Sequence, residues 1–273
     1  MNARVAAVRA ADELSRAGVP DAAFEGELLT RKAGALSRAA YFMGPALTER
    51  ETARLAALVE RRRHREPFAY ISGDREFYGL SFDVGPDVLI PRPETELLVD
   101  IVLREASAPG RARIVDVGTG SGCIAISVRT HCPSGDVVGV DVSAGALRVA
   151  AANAARLAPG VRFVQGDLVT AIARVDIVAA NLPYIPTSDI ESLEPEVRDW
   201  EPRLALDGGG DGLTLIRRLV FDCATRLRPR LLAMEVGAGQ APAVASLGEA
   251  VGAAVETHRD LGGIERVVCL RWA

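Results

Sequence analysis

The sequence predicts an α/β protein: a doubly wound, Rossmann-like sheet, mostly parallel with an antiparallel last strand, joined to a small N-terminal helical domain through a β-hairpin linker. Three observations predict it. Apolar residues recur at helical spacing over roughly the first 65 residues. After about residue 97, strand-like runs alternate with helix-length segments, which demands crossover connections and so parallel pairing. The first of these strands runs into Gly118-Thr119-Gly120-Ser121-Gly122, where glycine lets the backbone turn sharply and approach a ligand.

Residues 1–18 set Val5, Val8 and Leu14 against Arg4, Arg9, Asp12, Glu13 and Arg16, the pattern of an amphipathic helix rather than a signal peptide. Gly18-Val19-Pro20-Asp21 stops that helix and starts another, with Asp21 as its expected cap and Phe24, Leu28 and Leu29 as its apolar face. Thr48-Glu49-Arg50-Glu51 has capping-box spacing and opens a third helix, whose Leu55, Leu58 and Val59 share a face. Its closing run, Arg61-Arg62-Arg63-His64-Arg65, reads as a solvated helix end favoured by the helix dipole. Residues 76–84 read as a hairpin with Gly79 near the turn. In Leu89-Ile90-Pro91-Arg92-Pro93-Glu94-Thr95-Glu96 two prolines forbid regular helix before Glu94 and impose an extended approach. The domain boundaries expected from this are 1–67 helical, 68–96 hairpin and Pro-rich linker, and 97–273 for the sheet domain.

Within the last of these, helices are expected at 96–105, 124–130, 144–157, 213–227 and 241–251. Strands are expected at 113–117, 136–141, 161–165, 176–180, 231–236, 255–258 and 266–270, with an irregular stretch from 181 to Gly212. Ligands of such sheets collect at the carboxyl ends of the strands, so the tips carrying Gly118, Asp141, Asp167 and Asn181 become neighbours.

Bulk properties narrow the function. The 273 residues carry a net charge of -4, which supplies no global basic field for nucleic acid. Cys123, Cys132, Cys223 and Cys269 form no CxxC pair, and the three histidines are isolated, so reduced thiols and no metal site are expected. No apolar run is long enough for a membrane span, and a soluble, cytoplasmic, monomeric protein is expected.

Two constellations carry chemistry. Asp116 precedes the Gly118–Gly122 turn, where a carboxylate repels a pyrophosphate but suits a cationic ligand end. Asp141 ends the next strand, placed to accept from ribose hydroxyls, and Asp167, followed by Leu168, is placed to accept from an adenine amino group. Three acidic tips in series favour S-adenosylmethionine over NAD. The second constellation is Asn181-Leu182-Pro183-Tyr184 at the tip of strand 176–180. An amide or adenine nitrogen is a poor nucleophile because its lone pair is delocalised. Asn181 can accept one of its N–H bonds through the side-chain oxygen, and the Leu182 carbonyl, aimed by Pro183, can accept the other. Tyr184 can pack on the planar group, and alignment with an electrophilic carbon then supplies much of the rate.

At this point the chain resembles the peptide-chain-release-factor glutamine methyltransferases of the PrmC/HemK type. The resemblance rests on Tyr70-Ile71-Ser72-Gly73, Glu76-Phe77-Tyr78-Gly79, Val88 to Glu96, Asp116 to Gly122, Asn181 to Ile185, Glu201-Pro202, Ala205 to Gly212 and Asp260-Leu261-Gly262-Gly263. The Pro-Arg-Pro-Glu-Thr-Glu stretch is the most specific of these. The resemblance implies an S-adenosylmethionine-dependent methyltransferase sheet domain and methylation of the glutamine of the Gly-Gly-Gln motif in class 1 release factors; the N-terminal helices, which carry no chemical constellation and adjoin the linker, are expected to recognise that protein substrate. It implies that Gly118 to Gly122, Asp141 and Asn181 hold the cofactor, that Asn181 to Tyr184 hold the glutamine, and that Arg92 and Glu94 line the site. Leu182 stands where the family usually has proline; the acceptor there is a backbone carbonyl, so the effect is expected on rate or fit and not on reaction type. The alternatives are an amino-methyltransferase acting on adenine or on another protein glutamine, a non-catalytic binding module and a nicotinamide oxidoreductase.

Overall fold

The computed structural model describes residues 1–108 and 110–272. They divide into two units: Met1–Gly73 with Glu194–Trp200, and Asp74–Leu193 with Glu201–Ala273.

The first unit is helical: α1 (Ala3–Arg16), α2 (Ala22–Ala33), α3 (Arg38–Phe42), α4 (Glu49–Arg63) and α5 (Phe68–Ser72), with the short α9 (Pro195–Arg198) from later in the chain. The capping box at Thr48 is present, with Glu51 reaching back to the Thr48 backbone. Asp21 is not a side-chain cap. It stands before α2 in the left-handed region, φ 49°, with no hydrogen bond from its carboxylate to the helix. The core also differs from the expected apolar face. Ala3, Ala6, Ala7, Ala10 and Leu14 turn inward, while Val5, Val8 and Phe24 are exposed, Phe24 at 62%. The reason is close packing: a Cβ on Gly26 of α2 would meet the Ala7 carbonyl oxygen at 2.7 Å and the Ala11 nitrogen at 2.9 Å, so only small residues fit between α1 and α2. The arginine run is a solvated end only in part. Arg62 is buried, with Nε 2.5 Å from Glu25 and Nη1 2.8 Å from Glu196, and Arg65 Nη2 lies 2.6 Å from Glu196. Arg63 and His64 do face solvent.

The second unit begins with a hairpin, β1 (Asp74–Phe77) and β2 (Leu80–Asp83), turned through Tyr78 and Gly79, both at positive φ. The proline stretch does not stay extended to Glu94: a 3-10 turn, Pro93–Thr95, starts on its second proline, where the missing N–H costs nothing. It leads into α6 (Glu96–Ala106). There follow β3 (Arg113–Val117), α7 (Cys123–His131), β4 (Asp136–Asp141), α8 (Ala144–Leu157), β5 (Arg162–Gln165) and β6 (Ile177–Ala180). Two 3-10 turns, Thr187–Ser192 and Arg203–Ala205, lie in the stretch expected to be irregular. Then come α10 (Thr214–Asp222), β7 (Leu231–Glu235), α11 (Ala241–Ala250), β8 (Ala254–Arg259) and β9 (Glu265–Arg271); the helix expected through 227 leaves α geometry at Cys223 for a π turn, Cys223–Leu227.

The strand order is β5-β4-β3-β6-β7-β9-β8, parallel except that β9 runs antiparallel to β7 and β8. Alternation of side chains fills one core on each face. Ile114, Ile177, Ala179, Leu231, Ala233 and Cys269 join α6 and α7 on one face, and Val115, Val117, Val178, Ala180, Leu232, Met234 and Leu270 join α10 and α11 on the other. The chain leaves β3 outward to β4 and β5, then returns to the other side of β3 as β6. That reversal opens a crevice beyond the β3 and β6 tips. Among the described residues, no helix is long and apolar enough to cross a membrane.

Candidate active site

The crevice is a cavity of about 390 Å³, within the range of small-molecule sites. Its wall is built from consecutive strand tips: Gly118 to Ser121 after β3, Asp141 at the end of β4, Asp167 and Leu168 after β5, and Asn181 to Pro183 after β6. Gly122, Asp116, Tyr184 and Glu94 are not on this wall, and Arg92 is.

The Gly-rich turn is fixed by its neighbours. Gly118, Gly120 and Gly122 have φ of 72°, 54° and 81°, a region that other residues enter at a cost. The N–H groups of Gly118 and Thr119 both donate to the Val140 carbonyl, at 2.8 and 3.0 Å, and Gly120 donates to Asp141 Oδ2 at 2.9 Å. The other Asp141 oxygen accepts from Ser143 N–H at 2.8 Å. Each carboxylate oxygen thus keeps a lone pair for a ligand hydroxyl. Asp116 sits below the turn. Its Oδ2 accepts from the Thr119 hydroxyl at 2.6 Å and from Ala125 N–H at 3.1 Å, while its Oδ1 is buried without a hydrogen-bond partner. Burial pushes its carboxyl up to about 7, against those two donors. Buried Asn153 ties the turn to the hairpin, donating to the carbonyls of Ser121 and Asp83 and accepting from Asp83 N–H. Asp167 shares one carboxylate oxygen with Arg218 at 2.6 Å, and Leu168 beside it holds φ 50°.

The Asn181–Tyr184 segment leaves β6 extended and is gripped from one side by a return segment. Ile185 N–H donates to the Leu206 carbonyl and Gly208 N–H to the Ile185 carbonyl, a strand-like bridge. The approach is so close that a Cβ on Gly208 would lie 2.7 Å from the Pro183 oxygen, and one on Gly212 would overlap the Tyr184 oxygen, which explains glycine at 208 and 212. Gln240 closes the other side, its amide donating to the Tyr184 carbonyl at 2.8 Å. Asn181 Nδ2 donates to the Thr95 hydroxyl at 3.1 Å, which leaves Oδ1 as the free end of the amide. Among the described residues, no donor reaches the Leu182 carbonyl. The Leu182 side chain is buried in the core and reaches to within 3.2 Å of where a Gly118 Cβ would stand, so the two constellations touch.

A second, smaller cavity, about 240 Å³, is lined by Arg92, Glu94, Tyr184, Glu235 and Arg266. Arg92 Nη2 donates to Glu201 at 2.5 Å, and Glu201, 5% exposed, also accepts from Ile90 N–H. Burial raises the Glu201 carboxyl against the pull of Arg92. Burial also pushes the Tyr184 phenol up to about 12, with Glu235 adding to the rise, so it remains a neutral donor. Glu235 and Arg266 went unnamed in the sequence reading, and Thr95 and Glu201 entered it only within the stretches that carry the resemblance, not as site residues. A signal existed for Glu235, a carboxylate ending the otherwise apolar strand Leu231–Glu235; Glu201, in a loop, offers no periodicity to read.

A family model described as the PrmC N-terminal domain matches residues 6–73, and one described as a methyltransferase domain matches residues 114–200. A release factor glutamine methyltransferase of Geobacter sulfurreducens is 42% identical over 261 residues, covering 93% of this chain and 91% of its own. One of Caulobacter vibrioides is 40% identical over 267 residues, covering 95% and 92%. Among solved structures, the hMettl16 catalytic domain in complex with MAT2A 3′UTR hairpin 6 superposes with a TM-score of 0.59 at 16% identity, covering 85% of this chain and 86% of that one, a likeness of fold.

Proposed function

We infer that this protein, which belongs to the release factor glutamine methyltransferase family, transfers a methyl group from S-adenosylmethionine to the side-chain amide nitrogen of the glutamine in the Gly-Gly-Gln motif of class 1 peptide chain release factors. The observation that carries the reading is the placement of Asn181 and Leu182. Two uncommitted oxygen acceptors stand at one strand tip, against a Gly-rich turn and on the wall of a nucleotide-sized cavity.

The residues present fit the cofactor. Gly118 to Ser121, Asp141, Asp167, Leu168 and Asn181 would hold it, with Asp141 offering its spare lone pairs to hydroxyls and Asp116 setting the turn from below through its buried carboxyl. Gly122 serves the turn's geometry. When bound, S-adenosylmethionine supplies a methyl group on a sulfonium, an electrophile that needs an aligned lone pair. The substrate nitrogen brings that lone pair, and the protein aligns it. Asn181 Oδ1 and the Leu182 carbonyl accept the two amide N–H bonds, Pro183 holds the Leu182 carbonyl in an extended backbone, and Tyr184 offers its ring to the carboxamide plane. The alkylated nitrogen is acidic and releases its proton to water. Arg92, held by Glu201, and Glu94 would meet the loop that carries the glutamine.

The helical unit is read as the grip on the release factor, supported by its exposed Val5, Val8 and Phe24. The substrate is a protein and the enzyme acts as a monomer in the cytoplasm. The test is mass spectrometry of a release factor after incubation with the protein and S-adenosylmethionine. One added methyl on the glutamine of Gly-Gly-Gln is expected; a methyl found on nucleic acid with none on the release factor would overturn the reading.

A further inference from the structure

We propose that the second cavity is a main-chain subsite: it takes a peptide group of the substrate loop beside the glutamine, with Arg266 donating to the peptide carbonyl and Glu235 accepting from the peptide N–H. The proposal rests on the function inferred above and names what the loop meets beyond its glutamine. The second cavity adjoins the first. Arg92 lines both, and Tyr184, which follows the Asn181–Pro183 wall of the first, lines the second. A loop that sends its glutamine side chain to Asn181 and Leu182 therefore carries its main chain past Tyr184.

The lining is fixed before any guest arrives. Glu235, at the end of β7, is 1% exposed, and its Oε2 is buried with no hydrogen-bond partner. A buried carboxylate oxygen without a donor is costly, and a guest that brings an N–H removes the cost. Arg266, on β9, is held from two sides: Nε donates to Asp260 Oδ2 at 3.1 Å and Nη1 to the Val236 carbonyl at 3.4 Å. Among the described residues nothing accepts from its Nη2. Arg92 is fixed in the same way by Glu201, at 2.5 Å.

These partners also select the guest. Each guanidinium is already paired with a carboxylate outside the cavity lining, Arg266 with Asp260 and Arg92 with Glu201, so neither calls for an anion. Glu235 and Glu94 repel one. A cation would meet two guanidiniums. A neutral group with a carbonyl at one end and an N–H at the other satisfies both kinds of wall, and a peptide unit is such a group. The volume, about 240 Å³, lies below that of sites for drug-sized ligands and suits main chain that carries no side chain. A Cβ on the residue next to the glutamine takes up that space and lifts the backbone off the buried carboxyl. The cavity thus favours glycine beside the glutamine.

The experiment is a cycle between the full-length enzyme and an intact release factor: wild type, Arg266→Gln and Glu235→Gln, each against the natural loop and against a loop whose glycine next to the glutamine is changed to alanine. With the natural loop, Arg266→Gln should raise the release factor KM roughly 10- to 100-fold while the cofactor Kd, measured by calorimetry, stays within about 3-fold of wild type. The loop alanine should lower kcat/KM at least about 10-fold with wild type and less than about 3-fold further with Arg266→Gln, because two changes at one contact do not add. If Arg266→Gln fails to fold, the same cycle run with Glu235→Gln decides. Penalties that simply add would overturn the proposal, and so would unchanged kinetics in both enzyme variants. A raised cofactor Kd with the release factor KM unchanged would also overturn it, by giving the cavity to the amino-acid end of the cofactor. If wild type binds the release factor with an affinity that depends on Arg266 and on the loop glycine, yet transfers no methyl group, the proposed reaction falls and the subsite stands.

Discussion

Replacing Asn181 by alanine separates positioning of the substrate from binding of the cofactor. The change removes two things: the 3.1 Å hydrogen bond to Thr95 and the side-chain oxygen assigned to the substrate nitrogen. The first is a neutral, partly buried bond, worth about 1 kcal/mol of stability. For a chain of this size that lowers Tm by roughly 2–4 °C. The second is a preorganised acceptor at the reacting atom, and loss of one such group costs about 3–4 kcal/mol in the transition state, or 10²- to 10³-fold in kcat. The cofactor wall from Gly118 to Asp141 keeps its own hydrogen bonds, Gly118 and Thr119 to Val140 and Gly120 to Asp141, so cofactor binding should be partly kept, its Kd rising far less than kcat falls. The assay is initial-rate methyl transfer to a release factor, with calorimetry for the cofactor and a thermal melt on the same preparation. A kcat within about 3-fold of wild type, or a fall in kcat matched by an equal fall in cofactor affinity, would refute the assignment of Asn181 Oδ1 to the substrate.

Three further outcomes are expected. Gly26→Ala should destabilise the helical unit by about 1–3 kcal/mol in denaturant melts, because the new methyl meets backbone atoms of α1 at 2.7 and 2.9 Å and cannot be accommodated by rotamer change. Arg62→Ala should cost about 3–5 kcal/mol in the same measurement, since it strands the Glu25 carboxylate and removes one of two arginines from Glu196. Glu235→Gln should flatten part of the pH dependence of Tm. The folded-state carboxyl lies near 7, above its ordinary 4.5, so its stabilising contribution is fully present below about 4.5 and is lost as pH rises through about 7. That contribution is of order 3 kcal/mol. Asp116, raised the same way, should keep its share of the slope in the variant.

These last two carboxyls show the cost of the site: burial that sets the turn and lines the second cavity also makes their ionised forms less stable.

Much of the fold was legible because it depends on local chemistry. Hydrophobic runs separated by helix-length segments fixed the strands of the sheet to within a residue or two, and glycine at Gly118, Gly120 and Gly122 announced a turn that only positive φ satisfies. The capping box at Thr48 was equally local. The helical unit was less so: the periodicity was right but the buried face was not, since Val5, Val8 and Phe24 looked like core until the close approach at Gly26 made alanine the residue that fits. The arginine run was read correctly for exposed Arg63 and His64 but not for buried Arg62, whose partner Glu196 lies 134 residues away.

The sequence alone determined the α/β alternation, the glycine turn and the Asn181–Tyr184 tip, because each is written in residues that are neighbours along the chain. Only the tertiary structure decided that Thr95, Glu201 and Glu235 stand behind that tip. Their partners are distant in sequence, and a buried hydrogen bond between distant residues leaves no period, spacing or composition from which it could be read.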